Sequence, residues 1–413
     1  MSGRVHVIGA GLAGLSAAVH LASRGVELTL YEATAQAGGR CRSYHDSALD
    51  MEIDNGNHLI LSGNHATLSY LATIGSTDSF SMGPAANYPF MDLATGERWT
   101  VRANDGPIPW WIFDGRRNVP GARLGEYLGI LKLARARRGK TVGETIDCAG
   151  PLYERLTSPF LLAALNTSPA EGSAALAGAV IRETLVRGGS AYRPMIARNG
   201  LSKALVEPAL RYIADRGGCV AFGRRLRNLR VGLEIATGLD FAEASVELGM
   251  GDSVVLAVPP SAAGALAPGI KTPTTFRAIV NAHYRIDPPA KLPPMTGVIN
   301  GLAEWLFAFP HRLSVTISGA DRLLDVDRAD LARQIWSEVA KVAEVEQAMP
   351  PWQIIRETRA TIASIPSQER LRPDARTVWK NLALAGDWTN TGLPGTIEGA
   401  VRSGVAAARV VAA

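Results

Sequence analysis

A glycine-rich turn near the N-terminus constrains the fold of this chain more than any other stretch of its sequence. Apolar residues over 5–8 predict a short buried strand, a Gly-x-Gly-x-x-Gly pattern starts at Gly9, and an Ala/Leu-rich helix is predicted to follow as far as Ala22. A second strand is predicted over 26–32 and ends on an acidic residue, Glu32. This order of strand, glycine turn, helix and strand is the dinucleotide-binding fingerprint.

Each residue type in this fingerprint has a physical task. Gly9 allows the tight turn, Gly11 lets a pyrophosphate approach the backbone, and Gly14 lets the helix pack closely on the strand. The phosphates are expected at the helix N-terminus, where unpaired N–H groups and the helix dipole favour anions. Glu32 is placed to accept hydrogen bonds from a ribose diol. From these residues alone the ligand is either NAD or FAD.

The bulk composition is that of a globular protein large enough for two domains. The 413 residues are 47% hydrophobic and 20% charged, and no apolar run approaches the roughly 20 residues that span a bilayer. The three cysteines, Cys41, Cys148 and Cys219, lie far apart in the sequence, without CxxC or zinc-ligand spacing. We therefore expect a reducing, cytoplasmic environment and no metal site.

Positive charge is concentrated in one stretch. Residues 132–140 carry five Lys and Arg side chains in nine positions, in a chain whose formal net charge is +5. The aromatic and glycine patterning of RNA-binding modules is absent from the sequence, so nucleic-acid binding is not predicted. A solvated helix end and a contact with an anionic membrane surface both fit this stretch.

Two further segments bring chemically useful residues close to the fingerprint in sequence. Gly38 and Gly39 precede Arg40, which suits a loop whose backbone passes close to a ligand while the arginine is free to reach a phosphate. Farther along, an Asp54-Asn-Gly turn precedes Asn57 and His58. His58 fits either a residue beside the ligand or a plain hydrogen-bonded histidine.

The fingerprint, the loop over 38–40 and the near-terminal motif over 385–400 resemble the superfamily of FAD-dependent amine oxidases and carotenoid desaturases. In that superfamily the first motif holds the ADP half of FAD, and the last motif lies along the ribityl chain and the flavin ring. An enzyme that bound NAD at its only fingerprint would have no evident use for this second motif. The resemblance therefore favours FAD.

The segments 153–169, 54–61 and 391–404 resemble a narrower branch, the squalene-associated flavoproteins that act as hydroxysqualene dehydroxylases in hopanoid biosynthesis. This resemblance implies reductive removal of the hydroxyl group of hydroxysqualene by hydride from reduced FAD, to give squalene. An external reductant such as NADPH, or a donor protein, would then regenerate the reduced cofactor.

The superfamily resemblance also implies an α/β fold, with a Rossmann-like FAD-binding domain of the amine oxidase type and an inserted α+β substrate domain. The FAD-binding domain is predicted over 1–83, 199–273 and 371–413, and the substrate domain over 84–198 and 274–370. The residues that this assigns to the cofactor are Gly9, Gly11, Leu12, Ala13, Gly14, Glu32, Gly38, Gly39, Arg40, Asn57, His58, Leu226, Gly386, Asp387, Gly395, Thr396 and Ile397.

The reaction requires an acid for the leaving hydroxyl and an apolar pocket for a C30 isoprenoid. His58 is the first candidate for the acid because its ordinary pKa suits proton transfer. Asp54 or a water molecule is the second candidate, although Asp54 also suits a simple turn cap. The predicted pocket residues are Trp110, Trp111, Phe160, Trp305, Phe307 and Trp388.

Because such a substrate is nearly insoluble in water, we expect a peripheral contact with the inner face of the cell membrane. The predicted contact is the stretch 124–140, which is apolar at Leu128, Ile130, Leu131 and Leu133 and then strongly basic.

Two other functions stay open at the level of sequence. A polyene desaturase or an amine oxidase of the same superfamily would use the flavin in the oxidising direction. A flavin-free protein that binds Rab GTPases shares the fold, but the intact segments at Gly386-Asp387 and 394–400 argue against it.

Overall fold

The computed structural model describes residues 3–412, so the first two residues and the last residue of the predicted FAD-binding segments lie outside the described chain. The helices are α1 (Leu12–Ala22), α2 (His65–Thr73), α3 (Tyr127–Ala134), α4 (Ser158–Leu165), α5 (Ala174–Glu183), α6 (Glu207–Ala214), α7 (Pro260–Leu266), α8 (Arg328–Ala343), α9 (Pro366–Glu369) and α10 (Ile397–Val411). The strands are β1 (Val5–Ile8), β2 (Leu28–Tyr31), β3 (Ser43–Asp46), β4 (Met51–Asp54), β5 (Leu59–Leu61), β6 (Phe80–Met82), β7 (Asn87–Asp92), β8 (Arg98–Arg102), β9 (Pro194–Ala197), β10 (Cys219–Ala221), β11 (Leu226–Val231), β12 (Ala236–Phe241), β13 (Ser245–Glu247), β14 (Ser253–Leu256), β15 (Phe276–Arg285), β16 (Met295–Ile299), β17 (Trp305–Phe309), β18 (Arg312–Ile317), β19 (Trp352–Ile362) and β20 (Leu382–Leu384).

A five-stranded parallel sheet, in the order β10-β2-β1-β14-β20, forms around the predicted fingerprint. On one face, Val7 and Val255 pack against α1, α6 and α10. On the other face, Ile8 and Leu256 pack against α7 and the three-stranded sheet β11-β12-β13. Because both faces are covered, β1 and β14 are buried along their whole length. The predicted α/β class with a Rossmann-like sheet is confirmed.

The C-terminal helix packs directly on the fingerprint helix. A Cβ atom at Gly404 of α10 would lie 2.3 Å from the carbonyl oxygen of Ala13 in α1, so only glycine permits this approach. The Ser16 hydroxyl donates to the carbonyl oxygen of Val401 across the same contact, at 2.9 Å. The two ends of the sequence therefore meet beside the fingerprint turn.

A seven-stranded mixed sheet, in the order β19-β15-β18-β17-β16-β7-β8, forms the second layer of the molecule. Its outer face packs against α8, where the Tyr284 hydroxyl donates to the carbonyl oxygen of Ala332 at 2.6 Å. Side chains alternate between the faces of a strand, so the inner face carries the other residues of each strand. Polar Asn281 and Thr316 occupy it on β15 and β18, whereas aromatic Trp305 occupies it on β17.

Helices α3, α4 and α5 pack together beside the aromatic part of this inner face. Arg182 of α5 donates to the carbonyl oxygen of Ala134 at the end of α3, at 2.7 Å. Leu133 is fully buried between these helices. This corrects part of the prediction for 124–140, which counted Leu133 among the membrane-contacting residues.

The strands of the parallel sheet come from the three segments predicted for the FAD-binding domain, and those of the seven-stranded sheet come from the two segments predicted for the substrate domain. The exact division into domains stays a prediction. Within residues 3–412, none of the helices combines the length and the apolar character needed to cross a membrane.

Candidate active site

The glycine turn between β1 and α1 is crowded on one side and open on the other. A Cβ atom at Gly9, where φ is +103°, would lie 2.4 Å from the carbonyl oxygen of Ala257, and one at Gly14 would lie 1.9 Å from the carbonyl oxygen of Gly9. A Cβ atom at Gly11 would meet nothing within 4 Å. The open space therefore lies at Gly11, at the N-terminus of α1, where a pyrophosphate is favoured.

Glu32 lies immediately after β2, beside this turn. Its carboxylate accepts hydrogen bonds from the backbone N–H of Ala10 and from the backbone N–H and hydroxyl of Thr34, each at 2.9 Å. These bonds hold the acid at the edge of the turn, where a ribose diol is expected. Leu12 and Ala13 begin α1 and are buried.

The second glycine loop lies against the first. The backbone N–H of Gly38 donates to the carbonyl oxygen of Ala10 at 2.8 Å, and Gly11 pairs with Gly38 as a parallel bridge. Gly38 and Gly39 have φ angles of +106° and +55°, which favour glycine. A Cβ atom at Gly39 would lie 3.4 Å from Cα of Gly11. The two loops thus form adjoining walls of a backbone cradle.

Arg40 is held by an ion pair. Its guanidinium donates to Oδ1 of Asp387 at 2.6 Å and to the carbonyl oxygen of Ala360 at 2.5 Å. The charge of Asp387 raises the pKa of Arg40 above its ordinary value. Arg40 was predicted to be free to reach a phosphate, whereas in the structure it links its loop to the C-terminal motif.

Arg372 is a residue of the site that sequence reasoning missed. It is buried, and it donates to the carbonyl oxygens of Asp387, Thr389 and Leu393 at 2.6 to 3.0 Å. It also donates to the hydroxyl of Thr391 at 3.1 Å. One side chain therefore fixes the backbone of the loop 387–393. The only signal in the sequence was an arginine ahead of the C-terminal motif, which does not reveal these partners.

The C-terminal motif continues into the N-terminus of α10. The Thr396 hydroxyl accepts a hydrogen bond from the backbone N–H of Gly399 at 3.1 Å, which caps the helix beginning at Ile397. Glu398 lies in the first turn, but its carboxylate accepts hydrogen bonds from the N–H and hydroxyl of Thr67, at 2.9 and 2.7 Å. The acid is thereby held against α2.

Gly386 and Gly395, the other predicted glycines of the C-terminal motif, contact residues of the same C-terminal region. The backbone N–H of Gly386 donates to the Ser403 hydroxyl at 2.9 Å, and a Cβ atom at Gly395 would lie 3.0 Å from Oδ2 of Asp387. Leu226 begins β11 and is buried on the other face of the parallel sheet.

Asn57 and His58 lie at the polar part of the seven-stranded sheet. Asn57 donates through its side chain to the Thr316 hydroxyl at 3.1 Å and through its backbone to Oδ1 of Asn281 at 3.4 Å. Nδ1 of His58 lies 2.8 Å from the carbonyl oxygen of Gly56, which makes Nδ1 the donor and leaves Nε2 as an acceptor. Burial lowers the pKa of His58 below 6.5, so its ring is neutral at pH 7.

Asp54, the second candidate for the acid, is buried in a network of its own. Its Oδ1 accepts hydrogen bonds from the Ser43 hydroxyl at 2.6 Å and from the backbone N–H of Leu201 at 2.8 Å. These bonds join the β3-β4 hairpin to the segment that leads into α6. Asp54 therefore holds these two parts of the fold together. Proton donation by Asp54 stays a prediction.

An apolar cavity lies between the aromatic part of the sheet and helices α3, α4 and α5. Three of the predicted pocket residues, Trp111, Phe160 and Trp305, line it. The full lining is Tyr88, Phe90, Val101, Trp111, Ile130, Leu156, Thr157, Phe160, Leu161, Ile181, Leu185, Tyr192 and Trp305. None of these lining residues is charged.

The other three predicted pocket residues do not line this cavity. Phe307 is buried in the neighbouring aromatic cluster, 6.1 Å from Phe309 between ring centres. Trp110 is 51% exposed at the surface. The Trp388 indole donates to the carbonyl oxygen of Val258 at 3.0 Å, within the core behind the parallel sheet. None of Trp110, Phe307 and Trp388 thus forms the wall of this cavity, and their contact with the substrate stays a prediction.

Two further titratable side chains lie in the seven-stranded sheet. Glu304 immediately precedes Trp305 and accepts a hydrogen bond from the backbone N–H of Ser318 at 2.7 Å; burial raises its pKa from 4.5 to about 7. His283 is fully buried with Nδ1 at 2.8 Å from the Ser314 hydroxyl, and burial lowers its pKa to about 3. Glu304 is therefore partly protonated at neutral pH, whereas His283 is a neutral imidazole there, which is a very weak acid.

Comparison with known proteins places this geometry in a family. Residues 12–412 match the flavin-containing amine oxidoreductases. The chain belongs to that family. It is 55% identical to the hydroxysqualene dehydroxylase of Rhodopseudomonas palustris, over 100% of this chain and 99% of that protein. Identity to the hydroxysqualene dehydroxylase of Sinorhizobium fredii is 53%, over 99% of this chain and 98% of that protein.

The likeness extends to solved structures at the level of the fold. Cyclohexylamine oxidase from Brevibacterium oxydans superposes with a TM-score of 0.66 at 16% identity, over 100% of this chain and 99% of that chain. The cofactor of a flavin-containing amine oxidoreductase with this turn is FAD. The open space at Gly11, bounded by Gly39 and by the acid Glu32, fits its pyrophosphate and ribose. The contacts of individual residues with FAD stay a prediction.

Proposed function

We propose that this chain is an FAD-dependent hydroxysqualene dehydroxylase, which converts hydroxysqualene to squalene. The observation that carries the proposal is identity of 55% and 53% with two hydroxysqualene dehydroxylases over essentially the whole chain. The uncharged aromatic cavity supports it, because a C30 isoprenoid offers only apolar surface apart from its hydroxyl group.

FAD supplies the chemistry that the protein side chains lack. When bound in its reduced form, it provides the hydride that replaces the hydroxyl group, while the hydroxyl leaves with one proton as water. The cofactor would be held by the two glycine loops, by Glu32 and by the loop 387–393. An external reductant such as NADPH is part of this proposal, because each turnover consumes two electrons.

The cavity residues bind the substrate and exclude water. Trp111, Phe160 and Trp305 contribute large apolar surfaces, whose burial favours a hydrocarbon by about 25 cal/mol per Å² of area removed from water. A cavity without water also strengthens the interaction between any fixed dipole and a charge that develops during the reaction. These side chains hold the isoprenoid and take no part in proton transfer.

His58 is the proposed source of the proton for the leaving hydroxyl. Its Nδ1 proton is engaged by the carbonyl oxygen of Gly56, so only Nε2 is available for transfer. Nε2 carries a proton only in the fraction of molecules that are charged, and the lowered pKa makes that fraction small at pH 7. Besides Asp54, the structure adds Glu304 as a candidate, favoured by its pKa of about 7, which leaves it partly protonated at neutral pH.

The oxidising alternatives are less well supported by the site. An amine oxidase binds a polar amine, and none of the residues lining the cavity is charged. A polyene desaturase would use a similar apolar cavity, so only the direction of the reaction separates it from the proposed enzyme. A flavin-free binding protein would have no use for an open cradle at Gly11.

Anaerobic incubation of the chemically reduced protein with hydroxysqualene tests the proposal. We expect one squalene per flavin, accompanied by reoxidation of the flavin absorption. Reduced protein that leaves hydroxysqualene unchanged, while the oxidised protein desaturates a polyprene, would overturn it. A colourless protein that cannot be reconstituted with FAD would overturn it as well.

A further inference from the structure

Large apolar side chains are exposed on two neighbouring segments next to the cavity. One segment is the loop and turn over 108–113, and the other comprises the residues leading into α3 together with α3 itself. We call their exposed side chains the apolar face: Ile108 (74% exposed), Trp110 (51%), Phe113 (70%), Leu124 (51%), Leu128 (60%) and Leu131 (49%). Single exposed leucines are ordinary, but a group of six such side chains marks a surface for interaction.

The spacing around α3 shows that this exposure is organised. Leu124, Leu128 and Leu131 follow one another at intervals of four and three residues, which places them on one side of the helix. Leu133 is buried on the opposite side, and Tyr127 is buried at the edge of the exposed row. The helix thus buries one apolar side and exposes another, which is not the pattern of a helix that faces only water.

The two segments touch each other and both reach the cavity. The rings of Trp111 and Tyr127 meet edge to face with 5.8 Å between their centres. Trp111 lines the cavity from the first segment, and Ile130 lines it from α3. The apolar face is therefore the outer side of the same two segments that form one wall of the cavity.

Charge around the apolar face favours an anionic partner. Residues 106–140 contain eight Lys and Arg side chains and only two acids, whereas the whole chain has a net charge of +5. Lys132, Arg135 and Arg137 are exposed. Arg138 is paired with Glu369 at 3.1 Å and with Asn390 at 2.5 Å, so it belongs to the fold. Apolar side chains beside unpaired cations suit the surface of an anionic lipid bilayer.

We infer that the apolar face docks on an anionic bilayer and that the substrate passes from the bilayer to the cavity between residues 110–113 and α3. The docking rests on the exposed side chains alone, and the passage of a C30 alcohol rests in addition on the proposed function. Compared with the predicted contact over 124–140, this surface adds Ile108, Trp110 and Phe113, and it excludes Ile130, Leu133 and Arg138.

Cosedimentation of the FAD-loaded protein with vesicles tests the docking without any substrate. We expect binding to vesicles of phosphatidylcholine with phosphatidylglycerol, and much weaker binding to phosphatidylcholine alone. The double variant Leu128→Glu, Leu131→Glu should bind the anionic vesicles at least about tenfold more weakly, because burial of a leucine is worth about 1.5–3 kcal/mol. The double variant Lys132→Glu, Arg137→Glu should also bind the anionic vesicles more weakly at low salt. Its difference from the wild type should shrink as salt is added, because salt screens the attraction between charges.

Leu233→Glu is the control, since Leu233 is 99% exposed in the turn that joins β11 to β12. It should bind vesicles as the wild type does. Equal binding by the wild type and both double variants, with unchanged flavin content and melting temperature, would overturn the docking.

Ile130→Trp tests the passage of the substrate into the cavity. Vesicle binding should persist in this variant, while kcat/KM for vesicle-borne hydroxysqualene falls. An unchanged kcat/KM in that variant would overturn the passage. If the wild type binds vesicles but never forms squalene, the proposed function fails and the docking stands.

Discussion

At the scale of single residues, burial displaces the pKa values of His58 and Glu304, two of the candidate acids, in opposite directions. The imidazolium of His58 loses its hydration, so the pKa falls below 6.5. The carboxylate of Glu304 loses its hydration too, so the pKa rises to about 7. A proton donor works below its pKa in the folded protein, and activity is lost as the pH rises through that value.

We therefore expect kcat/KM for squalene formation to fall as the pH rises through a value below 6.5. His58→Gln should lower kcat/KM by about 100-fold and remove this dependence, because general acids contribute about that much. Profiles of rate against pH for the wild type, H58Q and E304Q measure it. A fall centred near 7 that survives in H58Q and disappears in E304Q would make Glu304 the acid, and the assignment to His58 would be wrong.

At the scale of elements, a short loop carries the C-terminal part of the site and one side chain shapes it. The loop over 387–393 has no regular secondary structure, so its backbone carbonyls need partners from elsewhere. Arg372 supplies them through hydrogen bonds to three carbonyl oxygens and one hydroxyl. Burial lowers the pKa of Arg372 to about 10, so the side chain stays charged at neutral pH.

Arg372→Ala should weaken FAD binding and lower the melting temperature, because it leaves buried acceptors without partners at a cost of about 3 kcal/mol or more. Arg372→Lys should recover only part of the loss, since an ammonium cannot reach acceptors on several sides. Flavin absorbance per protein and thermal melts measure both effects. Arg370→Ala, at an exposed position two residues earlier, is the control. Full FAD content in R372A would show that the loop keeps its shape unaided.

At the scale of the whole molecule, the predicted cofactor site joins parts of the chain that are distant in sequence. The fingerprint and the loop over 38–40 come from the first 40 residues, whereas Asp387 and Thr396 come from the last 30. The packing of α10 on α1 and the ion pair between Arg40 and Asp387 bring them together. A ligand that spans these parts stabilises the native state because the unfolded chain cannot bind it.

Removal of FAD should therefore lower the free energy of unfolding by about 4 kcal/mol, relative to protein with FAD at a thousandfold excess over its Kd. Melting curves of the stripped protein, with and without added FAD, measure this. NAD is the control ligand and should leave the melting temperature unchanged. Equal melting temperatures with and without FAD would contradict a cofactor site shared between the two ends of the chain.

The sequence by itself determined the fold class and the local backbone path of the predicted cofactor turn. The spacing of Gly9, Gly11 and Gly14 specifies a local backbone path, and such paths depend on residues that are neighbours in the chain. The structure gives Gly9 and Gly14 the close contacts and Gly11 the open space that this spacing predicts. The likeness of the C-terminal motif to known flavoproteins then decided between FAD and NAD.

Only the tertiary structure decided which side chains lie together in the candidate site. The adjacent residues Trp110 and Trp111 are equivalent in sequence terms, yet one is exposed and the other lines the cavity. Arg40 reaches Asp387, 347 positions away. The surroundings of a side chain depend on how distant elements pack, and the residues next to it in the chain do not encode that packing.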